Sequence, residues 1–100
     1  MTALALVAAS PRYRLQEAIL WTVEEDGICV FDDLCCRRLH LPYPEAAVWD
    51  MMARGRSLAD IVAIMPFVAD LPAAEAARLV ERCVNHWLEN KLICLADAGG

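Results

Sequence analysis

Pro42 and Pro44 divide the chain into two stretches of different hydrophobic period, and this division limits the fold more than any other feature. Before them, apolar residues recur at every second position, as on a strand with one buried face. After them they recur every three to four, as on a helix with one buried stripe. Ala18-Ile-Leu-Trp-Thr-Val-Glu24 puts Ile19, Trp21 and Val23 on one face of a strand. Glu25-Asp-Gly27 then reads as a tight turn, and Ile28-Cys-Val-Phe31, closed by Asp32-Asp33, as the second arm of a hairpin. A third strand is expected over Arg37–Leu41, with Arg37, Leu39 and Leu41 facing inward and Arg38 and His40 turned the other way. The prolines end this strand and can open a helix, because a proline in the first turn lacks only an amide hydrogen that has no helical partner there.

Beyond the prolines, Val48, Trp49 and Met52 fall on one helical stripe, and Arg54-Gly-Arg56 interrupts it. Ser57 is placed to cap a second helix, Leu58 to Met65, whose core face is Leu58, Ile61, Val62 and Met65 and which Pro66 should end. The longest helical pattern runs from Pro72 to about Asn90, with Ala73, Ala76, Ala77, Val80, Cys83, Val84 and Trp87 in one broad arc. Leu79 and Cys83 widen that arc on one flank, and Ala77 and Leu88 on the other, beyond what three strands cover; one flank is a candidate groove lip. Leu92-Ile-Cys-Leu95 fits either a short strand or an extended cover. The reading is an α+β fold: a three-stranded antiparallel sheet followed by a three-helix bundle in one domain, 12–95, between a flexible arm (1–11) and tail (96–100).

One hundred residues, 59% apolar and 23% charged, supply one core and leave no room for a large enzyme fold. A formal charge of −5 opposes nucleic acid, whose phosphates are bound by clustered cations. No apolar run approaches the roughly 18 residues that cross a bilayer, so no membrane partner is expected. The apolar start Met1–Ser10 lacks the basic residues of a secretion signal. Five cysteines, an odd number without a CxxC pair, point to reduced thiols and to the cytoplasm.

Candidate chemistry is sparse. A nucleophile could pair Cys29, Cys35, Cys36 or Cys83 with His40 or His86, yet nothing local marks any of these thiols as activated. Cys35-Cys36 with His40 would make a poor metal clamp, since neighbouring residues of a strand point to opposite sides. The carboxylates of Glu24-Glu25-Asp26 and Asp32-Asp33 fall in turns, where acids bond their own backbone or face water. The four glycines supply no phosphate loop. No catalytic residue, metal or cofactor is assigned. What remains is the third strand: in a meander it is an edge with unpaired backbone groups, and if that edge borders the last helix it suits an added peptide strand.

The run Leu39-His-Leu-Pro-Tyr-Pro-Glu-Ala-Ala-Val-Trp-Asp-Met-Met-Ala-Arg-Gly-Arg-Ser-Leu-Ala-Asp-Ile61 resembles the signature of PqqD-like proteins. That signature has a strand ending in Leu-Asn, a small-small-aliphatic-Trp helix, a Gly-x-Ser/Thr turn and an acidic-aliphatic second helix. Leu41 matches the strand end, Ala46, Ala47, Val48 and Trp49 the first helix, Gly55 and Ser57 the turn, and Asp60 and Ile61 the second helix. Pro42 stands where the family carries Asn, and Glu45 where it carries a small residue, so a differently shaped corner and a shorter free edge are expected. Cys35-Cys36 is outside the pattern.

The resemblance implies a winged helix-turn-helix-like RiPP recognition element without catalytic residues. Such an element binds the leader segment of a ribosomally made precursor peptide and presents it to a modifying enzyme or leader peptidase. Lasso-peptide assembly, radical-SAM modification and quinone-cofactor synthesis all use such elements. Carried over by position, the peptide edge would be Arg37, Arg38, Leu39, His40 and Leu41, and the helix flank Leu79, Arg82, Cys83 and His86. Arg78 and Arg82 would attract acidic leader residues. The competing readings are a homodimer that pairs the same edge with its own copy and a winged-helix DNA-binding protein, the second opposed by the acidic balance.

Overall fold

The computed structural model describes residues 10–96; residues 1–9 and 97–100, which hold most of the expected arm and tail, lie outside the described residues. The described residues hold five strands: β1 (Tyr13–Leu15), β2 (Ile19–Glu24), β3 (Gly27–Asp32), β4 (Arg37–Pro42) and β5 (Ile93–Leu95). Three helices lie between β4 and β5: α1 (Glu45–Ala53), α2 (Leu58–Ala69) and α3 (Ala73–Glu89). The expected hairpin and third strand form an antiparallel sheet in the order β2-β3-β4. Its inner face places Ile19, Ile28, Val30 and Leu41 in the core.

α1 links the two layers. It packs on β4 and β1 on one side and on α2 and α3 on the other. Val48, Trp49 and Met52, the predicted stripe, are all buried. Trp49 meets Trp87 of α3 edge to face, with ring centroids 5.0 Å apart and planes at 84°. Burying an aromatic or aliphatic side chain of this size stabilises by about 1.5–3 kcal/mol, and the edge-to-face geometry adds about 0.5–1.5 kcal/mol. Among the described residues the Trp49 Nε1–H has no hydrogen-bond partner, which offsets part of that gain.

Two expectations need correction. The three expected strands are joined by a second, two-stranded sheet: of the two readings of the final segment the strand is the one found, and it pairs with a strand that periodicity did not reveal, Tyr13↔Leu95, Arg14↔Cys94 and Leu15↔Ile93. Three residues are too few for a period-two signal, and the partner lies at the far end of the chain. The pairing ties the two ends together, with Gln16 N–H donating to the Leu92 carbonyl at 3.0 Å. Ser10 and Pro11, the last residues of the expected arm, bond the start of α2: the Ser10 hydroxyl accepts from Ala59 N–H and the Pro11 carbonyl from Leu58 N–H.

Pro66 does not end α2, which runs on to Ala69. A proline forfeits only its own amide bond and disturbs the carbonyl four residues back. The next turn is held because the Pro66 carbonyl accepts from the amides of Asp70 and Leu71. The stop is Asp70, in the left-handed region at φ 53°. As predicted, Ser57 caps the other end by accepting from Asp60 N–H at 3.2 Å.

Gly27 sets the register of β4. A Cβ there would lie 2.1 Å from the Leu41 carbonyl oxygen, which is backbone and cannot swing aside. Gly27→Ala is therefore expected to cost about 1–3 kcal/mol, the ordinary range for overpacking, read as a lower urea midpoint with an unchanged m-value.

Candidate peptide-binding edge

Among the described residues β4 is an edge: it pairs with β3 on one side and with no strand on the other. The pairing register shows which of its backbone groups are free. Glu24 and Gly27 close a two-residue turn and so exchange both hydrogen bonds, and antiparallel pairs alternate from there. On its other side β3 then bonds Leu41, Leu39 and Arg37, so the N–H and C=O of Arg38 and His40 point away from the sheet. Pro42 pairs opposite Gly27 in a position whose N–H would also face outward. Its missing hydrogen costs the ladder nothing, but the free edge has no donor at Pro42.

The side chains divide as the sequence suggested. Leu41 is buried and Leu39 partly buried on the helix side, while Arg38 and His40 are exposed. His40 lies across the outer face, with Nδ1 3.8 Å from Glu24 and Nε2 3.7 Å from Asp26. These three exposed residues bring one ligand atom each within 4.8 Å, an arrangement that could hold a metal; Cys35 and Cys36 are not part of it. Arg38 and His40 thus offer backbone, not side chains, on the groove side.

Arg37 has a different task from its neighbours. Its Nη2 donates to the Asn90 carbonyl at 2.9 Å and its Nη1 to Asn90 Oδ1 at 3.4 Å, while Asp32 lies 3.7 Å away. Asn90, the C-cap of α3, in turn donates through Nδ2 to the His86 carbonyl at 2.8 Å. The start of β4 is therefore clamped to the end of α3. Asn90 was not singled out from sequence, and its place after the last apolar residue of the helix was the available signal.

On α3, Leu79 and Cys83 are only 6% and 7% exposed, so they form a floor, with Arg82 and His86 standing exposed beside it. Leu79 and Arg82 also line a hollow of about 700 Å³ that opens between the start of α1 and α3. Pro44, Glu45, Leu71, Glu75 and Arg78 share its wall, with Glu81 and Asn85 beyond. Arg78 and Arg82 thus sit among three carboxylates, and the field they offer is mixed and not simply basic. Burial first, and the Glu45 charge second, push the Cys83 thiol up to about 11. Cys35 is also pushed up, chiefly because its Sγ bonds Asp32 at 3.3 Å.

Asp32 accepts from the amides of Leu34 and Cys35 and from the Cys35 thiol, which organises the β3–β4 turn. These bonds, the thiol first, hold its carboxyl below the ordinary range against the opposing effect of burial.

A structure described as lasso peptide synthetase B1 complexed with the leader peptide superposes on this chain with a TM-score of 0.75. It covers 83% of this chain and 98% of that one, at 19% identity. TbiB1 in complex with the TbiA(beta) leader peptide also matches at 0.75, over 84% and 99% of the two chains and at 13% identity. The chain shares their fold. No protein-family model and no curated protein matches the sequence.

Two outcomes follow from the electrostatics. At pH 8 iodoacetamide should label exposed Cys36 well before Cys83, whose raised pKa and burial keep it a protected thiol; peptide mass mapping reads the order. Because Asp32 is depressed in the folded state, its contribution is present above the unfolded carboxylate pKa and lost as pH falls through the folded one. Asp32→Asn should therefore flatten the acid side of the stability curve, followed by urea midpoints between pH 6 and 3.

Proposed function

We propose that this chain is a non-catalytic RiPP recognition element: it binds the leader segment of a ribosomally made precursor peptide as an added strand on β4. The bound precursor is then handed to a modifying enzyme or leader peptidase of the same pathway. The observation that carries this reading is the free β4 edge beside the α3 floor, on a fold shared with two proteins solved with leader peptides.

The backbone accounts for affinity and the floor for selectivity. A leader strand would bond the N–H and C=O of Arg38 and His40 and reach the Pro42 carbonyl. Its alternate side chains would point toward Leu79 and Cys83, in the manner of β-augmentation. The Arg37–Asn90 clamp limits how far the strand extends toward the end of α3, and the hollow beside Glu45 and Arg82 lies at the opposite end. Lasso-peptide assembly is the pathway class nearest to the solved neighbours.

Anisotropy titration against labelled leader peptides from short reading frames beside the gene tests the reading, with a scrambled leader as control. His40→Pro removes one outward amide and leaves the ladder to β3 intact, a substitution edge strands tolerate. It should weaken binding by at least about tenfold, the equivalent of one lost charge-free hydrogen bond and its register. His40→Ala, which keeps the amide, should bind as the unmodified chain does. Equal binding by both variants would overturn strand addition at β4.

A further inference from the structure

Glu24, Asp26 and His40 meet on the outer face of the sheet, at the corner where the β2–β3 turn lies beside β4. The register explains how. On that face Glu24, Gly27 and Pro42 form one cross-strand row, and Thr22, Cys29 and His40 form the next. Gly27 has no side chain, so the middle strand puts nothing between Glu24 and His40, and Asp26 reaches the imidazole from the turn.

The imidazole lies between the two acids, with Nδ1 3.8 Å from Glu24 and Nε2 3.7 Å from Asp26. One ligand atom from each of the three residues lies within 4.8 Å of the other two. Atoms that share one zinc ion at about 2.0–2.2 Å stand about 3.4 Å apart. Rotation about side-chain bonds closes the remaining gap, and all three side chains are exposed and free to turn.

Charge and donor type both favour a cation of particular chemistry. Neither Glu24 nor Asp26 pairs with an arginine or lysine among the described residues, although Arg38 stands two positions from His40 on the same face. Glu25 adds a third carboxylate to the corner. Carboxylates alone would suit magnesium or calcium, which take oxygen; an imidazole nitrogen shifts the preference toward transition metals. Cys29 shifts it further. It sits directly across from His40 in a pair that exchanges no backbone hydrogen bonds, the kind in which side chains stand closest.

We propose that Glu24, Asp26 and His40 form a binding site for a divalent transition-metal cation, zinc above all, with water completing the coordination and Cys29 the next donor in reach. The ion ties the β2–β3 turn to β4 through side chains on the outer face, so the outward backbone groups of Arg38 and His40 stay free. The inference does not depend on what β4 binds.

Calorimetric titration of zinc chloride into the full chain tests it, with magnesium chloride as the control. One zinc ion should bind per chain, saturably below millimolar concentration, and magnesium should not. His40→Ala and Asp26→Asn should each weaken zinc binding at least about tenfold with an unchanged circular-dichroism spectrum. Glu25→Gln, beside the cluster, should bind zinc as the unmodified chain does. So should the double variant Cys35→Ser, Cys36→Ser, which removes the competing thiols of the β3–β4 turn. The proposal is overturned by an absence of saturable zinc binding, by magnesium binding equally well, by zinc binding that survives His40→Ala, or by its loss in the double serine variant.

Discussion

The edge-to-face contact of Trp49 with Trp87 is the joint on which the arrangement depends. Trp49 belongs to α1, which follows β4 after only Tyr43 and Pro44, so fixing α1 fixes the end of β4. Trp87 lies in the last turn of α3, just before Asn90 and the Arg37 clamp. One aromatic contact in the core and one guanidinium at the surface therefore fix β4 relative to α3. The buried Trp49 N–H, without a partner among the described residues, marks what this joint costs. Either ring's loss would open a large cavity, and cavities of that kind cost about 3–5 kcal/mol.

The same three-stranded sheet presents two unlike edges. β4 is bordered by a helix, guarded by arginines and stopped by Pro42, so it offers a short row of backbone groups to a partner of strand form. The Ile19–Val23 stretch of β2 carries no charge, and Leu20 and Val23 stand exposed on its two faces. Edge strands cost a soluble protein something unless they are blunted or covered. Among the described residues one edge is partly blunted and the other is bare. No helix among the described residues is long and apolar enough to cross a membrane.

Local periodicity carried most of the fold. The hairpin, the third strand, the α1 stripe and the long last helix were legible because their signals span several residues and repeat. The β4 edge was legible for the same reason, since strand order alone leaves the third strand outermost. What sequence could not supply was pairing at a distance. β1 and β5 are three residues each and some eighty positions apart, and neither has a period of its own. Pro66 misled because its penalty is local, whereas the following turn is held by bonds to its own carbonyl. The Arg37–Asn90 clamp and the approach of Glu45 to Cys83 depend on how helices dock, and no spacing rule encodes them. The resemblance through Leu41, Val48, Trp49, Gly55 and Ser57 reached further than periodicity, because an ordered set of residues carries topology as well as local structure.

The central claim is that Arg38 and His40 present their backbone to a leader strand. It is tested most directly by amide hydrogen exchange, measured by NMR on the ¹⁵N-labelled chain with and without a leader peptide from a neighbouring reading frame. The account predicts that binding slows exchange at the Arg38 and His40 amides, and that the Leu39 and Leu41 amides, already bonded to β3, change little. Binding that leaves Arg38 and His40 exchanging freely, or that protects Trp21 and Val23 on β2 in their place, would contradict it.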